Sequence, residues 1–215
     1  MNSLGWGCSM AATYLQETAQ FIAIGKDIIL GLAAITTAGV AVYGVKSWKR
    51  ELTGKTEFEA ANRMLQALYK VRDNFFYVRC PLILAGEFPS DFYDERKNSN
   101  QKEAEGYAFA YRNRWEFLGK ALQEFDTCAL ESEALWGGNV KEKIDEVRRC
   151  IRKLNTSIEF NIRNIASGRN ELDREFAQKI MLDISATPDS DDELSNAFKA
   201  AVVAIEDTLK PHFRR

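Results

Sequence analysis

Apolar residues recur every three or four positions over most of the chain, which is the spacing expected for one face of an α-helix. The most regular series lies within residues 140–165 and repeats almost as a heptad: Val140, Ile144, Val147, Ile151, Leu154, Ile158, Ile162 and Ile165. An earlier series occupies residues 103–136, and Gly137 and Gly138 separate the two. The pattern therefore predicts two long antiparallel helices joined by a glycine turn, with Asn139 as the N-cap of the second.

The two long helices should bury their apolar faces against each other. We expect Ile151 and Leu154 of the later helix to pack against Trp115, Leu118 and Leu122 of the earlier one. This contact predicts the centre of a hydrophobic core.

Shorter amphipathic segments lie on both sides of this hairpin. One begins after Thr53 and Gly54 with a capping-box sequence at Thr56 and ends before Pro81. Since only those two residues separate it from the preceding helix, the alternative is that the two form one bent rod. Two more segments begin near Asn170 and Ser190. No segment alternates apolar and polar residues as a strand would. The predicted fold class is all-α, with an antiparallel bundle of four or five helices after an N-terminal transmembrane helix.

The transmembrane helix is predicted from an uncharged apolar run at residues 28–45. Its 18 residues span roughly 27 Å as a helix, close to the hydrocarbon thickness of about 30 Å. We accordingly divide the chain into a short extracytoplasmic segment at 1–20, an anchor at 21–46, a basic juxtamembrane linker at 47–55 and a cytoplasmic helical domain at 56–215.

Orientation follows from the residues on the C-terminal side of this run. Five of them are suited to the membrane interface because they are basic or aromatic: Lys46, Trp48, Lys49, Arg50 and Lys55. Positive charges near a membrane span stay inside. We therefore expect a single-pass protein of the cell inner membrane, with the N-terminus outside and the C-terminal domain in the cytoplasm.

Two other interpretations of the apolar run stay open at this point. A secretory signal peptide would find small residues for cleavage at Ala38–Ala41, although the preceding residues lack its basic region apart from Lys26. A buried helix of a soluble core would tolerate Lys26, Thr36 and Thr37 more easily than a span does.

Small residues recur within the run at spacings of three and four: Gly31, Ala34, Ala38 and Ala41. They would line one face of the helix and let a second helix approach closely, with Thr37 adding an interhelical hydrogen bond. The pattern predicts a homo-oligomer interface, although such residues are also common in spans that do not associate.

Charge excludes a globally basic nucleic-acid binder, because the net charge is -2 and the sequence pI is about 5.7. The later arm of the hairpin is nevertheless locally basic, and its candidate anion-binding residues are Arg148, Arg149, Arg152 and Lys153. They suit anionic lipid or nucleic acid, and nucleic acid is the less favoured partner.

Catalytic chemistry finds little support. His212 is the single histidine, there is no glycine-rich phosphate loop, and the acidic residues of the 81–102 segment lack the spacing of a calcium loop: Glu87, Asp91, Asp94 and Glu95. We predict no enzyme, no catalytic or metal site and no cofactor.

The stretches WKRELTGKTEFEAANRMLQALYKVRD and LKPHFRR resemble segments of bacterial single-pass inner-membrane proteins of no assigned activity. The resemblance covers about a fifth of the chain, implies the bacterial inner membrane and brings no site residue with it.

The sequence thus predicts a membrane-anchored helical module that interacts with, senses or scaffolds a cytoplasmic protein. The alternative is a membrane-acting effector, a toxin or defence component that assembles through its anchor. The identity of the partner, the trigger and the role of the 81–102 loop are not predicted.

Overall fold

Helices account for nearly all of the chain. The computed structural model describes residues 5–90, 92 and 99–213, with side chains from position 25 onward. Its five α-helices are α1 (Gly5–Val78), α2 (Ser99–Trp136), α3 (Gly138–Ala166), α4 (Arg174–Ile184) and α5 (Glu193–Leu209). Short 3-10 helices lie at Ala85–Glu87 and Lys210–Phe213. No strand occurs in the described residues, so the predicted all-helical class is confirmed.

The first helix is longer than expected. α1 has 74 residues and contains both the apolar run and the amphipathic segment that follows it. The predicted cap at Thr56 is wrong because Thr53, Gly54 and Thr56 are all helical, and the alternative of a continuous helix agrees with α1. A glycine inside a helix costs about 1 kcal/mol relative to alanine. Ending and restarting the helix would instead leave unsatisfied backbone groups at two further ends.

Contacts divide the chain into two units, Met1–Lys55 and Thr56–Arg215. In the first unit, the side chains of residues 26–46 are all exposed. The second unit contains the end of α1 and all the other helices, and it has a hydrophobic core of its own.

All five described α-helices contribute to this core, α4 through Ile184. Phe75 of α1, Phe125 of α2, Leu154 of α3 and Phe198 of α5 are all fully buried in it. The Phe75 and Phe198 rings stack with their centroids 3.9 Å apart. Aromatic and aliphatic side chains from these five helices therefore exclude water from a single interior.

Ion pairs on the surface indicate how the helices run. Arg63 of α1 pairs with Glu131 of α2 at 2.6 Å, and Lys70 pairs with Glu124 at 2.5 Å. Because the partner number falls as the α1 number rises, the end of α1 and α2 run in opposite directions.

The turn between α2 and α3 depends on Gly137. Its φ of 75° lies in the left-handed region that glycine adopts without strain. α3 begins at Gly138, so the predicted N-cap Asn139 is wrong. Arg148 of α3 pairs with Asp126 of α2 at 2.7 Å.

The predicted packing across this hairpin is confirmed. Ile151, Leu154 and Leu118 are buried in the core cluster, and Trp115 and Leu122 are partly buried against it.

The two last helices begin at aspartates rather than at the predicted Asn170 and Ser190. Asp173 caps α4 and Asp192 caps α5, and each carboxylate accepts a hydrogen bond from the backbone N–H three residues later, at 2.8 Å and 2.9 Å. Ser190 instead accepts a hydrogen bond from the Thr187 backbone N–H. An aspartate immediately before the first helical residue also offers a negative charge to the positive end of the helix dipole.

Candidate functional site

The apolar run of α1 has no packing partner among the residues whose side chains the structure describes. Ile35 is 72% exposed and Tyr43 is 75% exposed, and every other residue from 28 to 45 is exposed as well. The interpretation as a buried core helix is therefore wrong. Within the described residues, one helix is long and apolar enough to cross a membrane, and it lies near the N-terminus.

The backbone of this run is satisfied by its own helix. α1 begins well before residue 28 and ends at Val78, so the unpaired N–H and C=O groups of its two ends lie outside the run. The hydroxyls of Thr36 and Thr37 donate to the backbone oxygens of Leu32 and Ala33, four residues earlier. The backbone and the two threonine hydroxyls of the run therefore need neither water nor another chain, which is the requirement for a segment in hydrocarbon.

The predicted oligomer interface is open on the surface of α1. Gly31, Ala34, Ala38 and Ala41 are all exposed, and a Cβ atom added at Gly31 would have no neighbour within 4 Å. The Thr37 hydroxyl donates to Ala33 O at 2.8 Å. Its proton is thus used within the helix, and only its oxygen lone pairs remain for the interhelical hydrogen bond that the sequence predicts.

The predicted membrane-interface residues lie on consecutive turns of α1 and are exposed: Lys46, Trp48, Lys49, Arg50 and Lys55. With 3.6 residues per turn, Lys46, Lys49 and Arg50 share one side of the helix, whereas Trp48 and Lys55 lie on the other. Among the described residues, Lys46, Lys49 and Arg50 form no ion pair. Their three charges are therefore available to an anionic surface.

The candidate anion-binding residues of α3 are less available than their number suggests. Arg148 is held by Asp126 at 2.7 Å and by Asp145 at 3.0 Å, and Arg149 pairs with Glu146 at 2.9 Å. Each positive charge is compensated by a neighbouring carboxylate, so Arg148 is a link between α3 and α2.

The remaining two candidates, Arg152 and Lys153, line a groove between α3 and α4 together with Arg149. The volume of this groove is about 380 Å³. Lys153 pairs with Asp183 at 3.3 Å and with Glu193 at 3.5 Å. Only Arg152 has no ion pair among the described residues, which leaves the groove with little net positive charge.

Sequence reasoning missed a buried arginine that joins three helices. Arg79, which directly follows α1, is fully buried and donates to the backbone oxygens of Leu182 and Asp183 at 2.9 Å and 2.7 Å. It also donates to Ser195 Oγ at 2.8 Å and to the Asp192 carboxylate at 2.8 Å. Burial acts to raise the pKa of Asp192, but hydrogen bonds from Ser195 and Arg79 outweigh it and lower that pKa.

A second buried arginine holds the segment between α1 and α2. Arg114 donates to both oxygens of Glu87, at 2.6 Å and 2.8 Å. It also donates to the backbone oxygens of Cys80 and Leu82, at 2.7 Å and 2.6 Å. The hydrogen bonds from Arg114 lower the pKa of Glu87. The hydrogen bonds of the Arg114 guanidinium therefore hold the beginning of the 81–102 segment in place.

Helical spacing does contain a signal for both arginines. Arg79 follows the core residue Phe75 by four positions, and Arg114 lies four positions from both Ala110 and Leu118. An arginine at an apolar position predicts a buried charge that needs a partner. Spacing does not predict which distant carbonyl groups supply it.

Of the four acidic residues in the 81–102 segment, only Glu87 lies within the described residues. Glu87 is bound by Arg114, and Asp91, Asp94 and Glu95 lie outside the described residues. No cluster of three or more metal-binding side chains occurs among the residues described.

The single histidine lies close to the beginning of the second unit. His212 Nδ1 is 3.2 Å from Glu57 Oε2, and its ring packs on Trp136 with the centroids 4.7 Å apart. The imidazole therefore joins the C-terminal 3-10 helix to α1 and α2.

Comparisons of this chain with protein families, with curated proteins and with solved structures found no match.

Proposed function

We propose that this protein is a membrane-anchored helical module that binds, senses or scaffolds a cytoplasmic partner without catalysis of its own. One observation supports this above all. An 18-residue apolar run is exposed on every side of an unbroken helix, while residues 56–213 possess a separate core. Exposure of so large an apolar surface to water is costly, at about 25 cal/mol per Å², and lipid removes that cost.

The proposed location is the bacterial inner membrane, with the second unit in the cytoplasm. Lys46, Lys49 and Arg50 immediately follow the apolar run and are free of ion pairs among the described residues, which favours their retention on the inner side. Each would add about 1 kcal/mol of attraction to acidic headgroups. The resemblance to bacterial single-pass proteins supports the same location.

The proposed architecture of the cytoplasmic part is an antiparallel helical bundle. Two ion pairs between α1 and α2 support opposite directions for these helices. The pairs Lys141–Glu133 and Arg148–Asp126 support the same for α2 and α3, because the partner number falls as the α3 number rises. Such a bundle is rigid enough to present a fixed surface to a partner.

We propose an interaction role rather than a catalytic one because the buried charged side chains bind other groups of the same unit. Arg79 binds the backbone oxygen of Asp183, and Arg114 binds the Glu87 carboxylate.

Membrane fractionation and a topology reporter test the proposal. The wild-type chain should stay in the membrane pellet after extraction with alkaline carbonate, and green fluorescent protein fused to its C-terminus should fluoresce. Release into the supernatant would contradict the anchor. A fusion protein that is present at a normal level but does not fluoresce would contradict the proposed cytoplasmic location of the C-terminus.

Affinity purification from solubilised membranes tests the interaction. We expect a stoichiometric protein partner that is lost when Leu82 and Leu84, which are highly exposed, are both replaced by glutamate. Leu130→Glu, an equally exposed position on α2, is the matched control. Equal recovery of the partner with both variants would place the contact elsewhere on the unit.

The open small-residue face of α1 favours a second candidate, an effector that assembles in the bilayer through Gly31, Ala34, Ala38 and Ala41. Overexpression would then collapse the membrane potential. Substitutions in the span, but not in the core of the second unit, should abolish that effect. An unchanged potential on overexpression would contradict the effector.

A further inference from the structure

A cavity of about 530 Å³ lies in the second unit between α2, α3, α4 and the segment after α1. Its volume is within the usual range of small-molecule sites, about 300 to 1,000 Å³. Part of its wall is aliphatic and comes from three different elements, as Ile83, Ile165, Ile180 and Ile184 all line it. An apolar body of a ligand would find continuous contact there.

Two buried polar groups at this cavity have unused hydrogen-bonding capacity. Asn164 is only 7% exposed, and its side-chain oxygen accepts from the Leu172 backbone N–H at 3.3 Å. Its side-chain nitrogen has no acceptor among the described residues. Tyr111 is also buried, and its hydroxyl has no partner in the same part of the chain. Burial raises the pKa of Tyr111 to about 12, although a tyrosine hydroxyl is protonated at neutral pH even at its ordinary pKa of about 10.

The charged groups that line the cavity are all positive. Arg169 and Arg174 belong to its wall, and no aspartate or glutamate does. Arg169 is held by Glu103 through hydrogen bonds of 2.7 Å and 3.2 Å. Arg174, the first residue of α4, is exposed and has no ion pair among the described residues. Glu103 therefore compensates the Arg169 charge, and the Arg174 guanidinium is the one that is free to bind.

The backbone at Arg169 is strained. Its φ is 66°, which makes it the one non-glycine residue with a positive φ among those described. The left-handed conformation costs a side-chain-bearing residue about 1 kcal/mol or more, and such residues are concentrated at functional sites. The turn after α3 would be more stable with glycine at this position. The Arg169 side chain nevertheless lines the cavity.

We propose that this cavity binds a small organic anion, whose apolar body packs on the aliphatic wall and whose carboxylate or phosphate group is bound by the Arg174 guanidinium and the Asn164 amide. Carboxylate and phosphate ligands of this kind share one anionic group on an apolar body of about ten to twenty atoms, a size that suits a small-molecule site. This ligand would be the signal in a sensing role, but its binding does not depend on membrane anchoring.

The groove between α3 and α4 is the competing location, because four basic residues line it: Arg149, Arg152, Lys153 and Lys179. Lys153 and Lys179 both pair with Glu193, at 3.5 Å and 3.9 Å. Its lining also includes Asp183, and Glu146 compensates Arg149. A carboxylate at the groove repels an anion, whereas none lines the cavity. The comparison favours the cavity.

Isothermal titration calorimetry on the full chain in a neutral detergent tests the proposal, with detergent buffer as the blank. The probes are 2-naphthoate, 2-naphthyl phosphate, neutral 2-naphthol and inorganic phosphate. We expect saturable one-to-one binding of at least one naphthyl anion. Naphthol and inorganic phosphate should each bind about tenfold more weakly, because each lacks one of the two recognised parts. The preferred anion identifies the head group as a carboxylate or a phosphate.

Variants assign the binding to the cavity. Arg174→Gln should weaken the anion about tenfold and leave naphthol unchanged. Asn164→Asp keeps the acceptor for Leu172 but brings a negative charge to the wall, so it should weaken the anion by about tenfold or more. Arg152→Gln removes the same charge as Arg174→Gln from the competing groove and should have no effect. Circular dichroism and melting temperature establish that each variant is folded.

Three results would overturn the proposal. These are no saturable binding of either naphthyl anion, equal affinity for naphthol and the anions, and loss of binding in Arg152→Gln but not in folded Arg174→Gln.

Discussion

Two helical stretches of this chain have similar apolar side chains and opposite surroundings. Residues 28–45 of α1 are apolar on all sides of the helix and completely exposed. The apolar residues of α3 occupy one face only, and Ile144, Val147 and Leu154 are fully buried against other helices. The angular distribution of apolar residues therefore separates the two stretches better than their content does.

Polar groups within the two stretches differ in the same way. Thr36 and Thr37 are satisfied by carbonyl groups of their own helix. In the core unit, Arg79 depends on groups more than 100 positions away in the sequence, on α4 and α5. A segment that meets lipid must satisfy its polar groups locally, whereas a folded core can satisfy them at long range.

The largest expected effect comes from removing the long-range partner. Arg79→Ala deletes a fully buried charge and leaves the backbone oxygens of Leu182 and Asp183 without this donor. We expect a loss of about 3 to 5 kcal/mol in the unfolding free energy of the second unit. Chemical denaturation of the full chain in detergent, followed by circular dichroism, measures it.

Arg149→Ala is the matched control, because its pair with Glu146 is largely exposed and should contribute within about 1 kcal/mol. Equal losses in the two variants would mean that the burial of Arg79 does not determine its contribution.

The next effect tests the apolar face of α3. Ile151→Ala removes a side chain that is 5% exposed in the core cluster, so it should cost about 2 to 5 kcal/mol of unfolding free energy. Leu130→Ala, at a residue that is 68% exposed, should change it by less than about 0.5 kcal/mol. A change of only a few tenths for Ile151 would show that this face awaits another chain.

Local sequence signals were sufficient for most of the helices and insufficient for their connections. The predicted end at Trp136 and the hairpin packing are confirmed because periodicity and glycine are local features. The predicted cap at Thr56 was wrong because one unfavourable residue, Gly54, weighs less than two new helix ends. Arg79 and Arg114 were missed because their partners are carbonyl groups on segments that only the tertiary fold brings near.

The third effect tests the exposed stretch. Ala34→Lys places a charge in the middle of the apolar run, which should cost about 2.5 to 3.5 kcal/mol of insertion free energy. Part of the protein should then leave the carbonate-resistant membrane fraction. Ala134→Lys, at an exposed position near the end of α2, is the control and should stay in the pellet. If both variants fractionate alike, residues 28–45 are not the membrane anchor.

The smallest expected effect distinguishes a passive tether from an assembling one. Ala34→Leu combined with Ala38→Leu keeps the run apolar but blocks close approach over the small-residue face, so helix contacts worth about 1 kcal/mol should be lost. Crosslinked dimers or larger species in native membranes should decrease, while fractionation stays unchanged. Ala33→Leu combined with Val40→Leu adds bulk on another side of the same helix and should leave crosslinking intact. Equal crosslinking in both double variants would assign any association to the second unit, because lipid gives helices no hydrophobic reason to associate once close packing is lost.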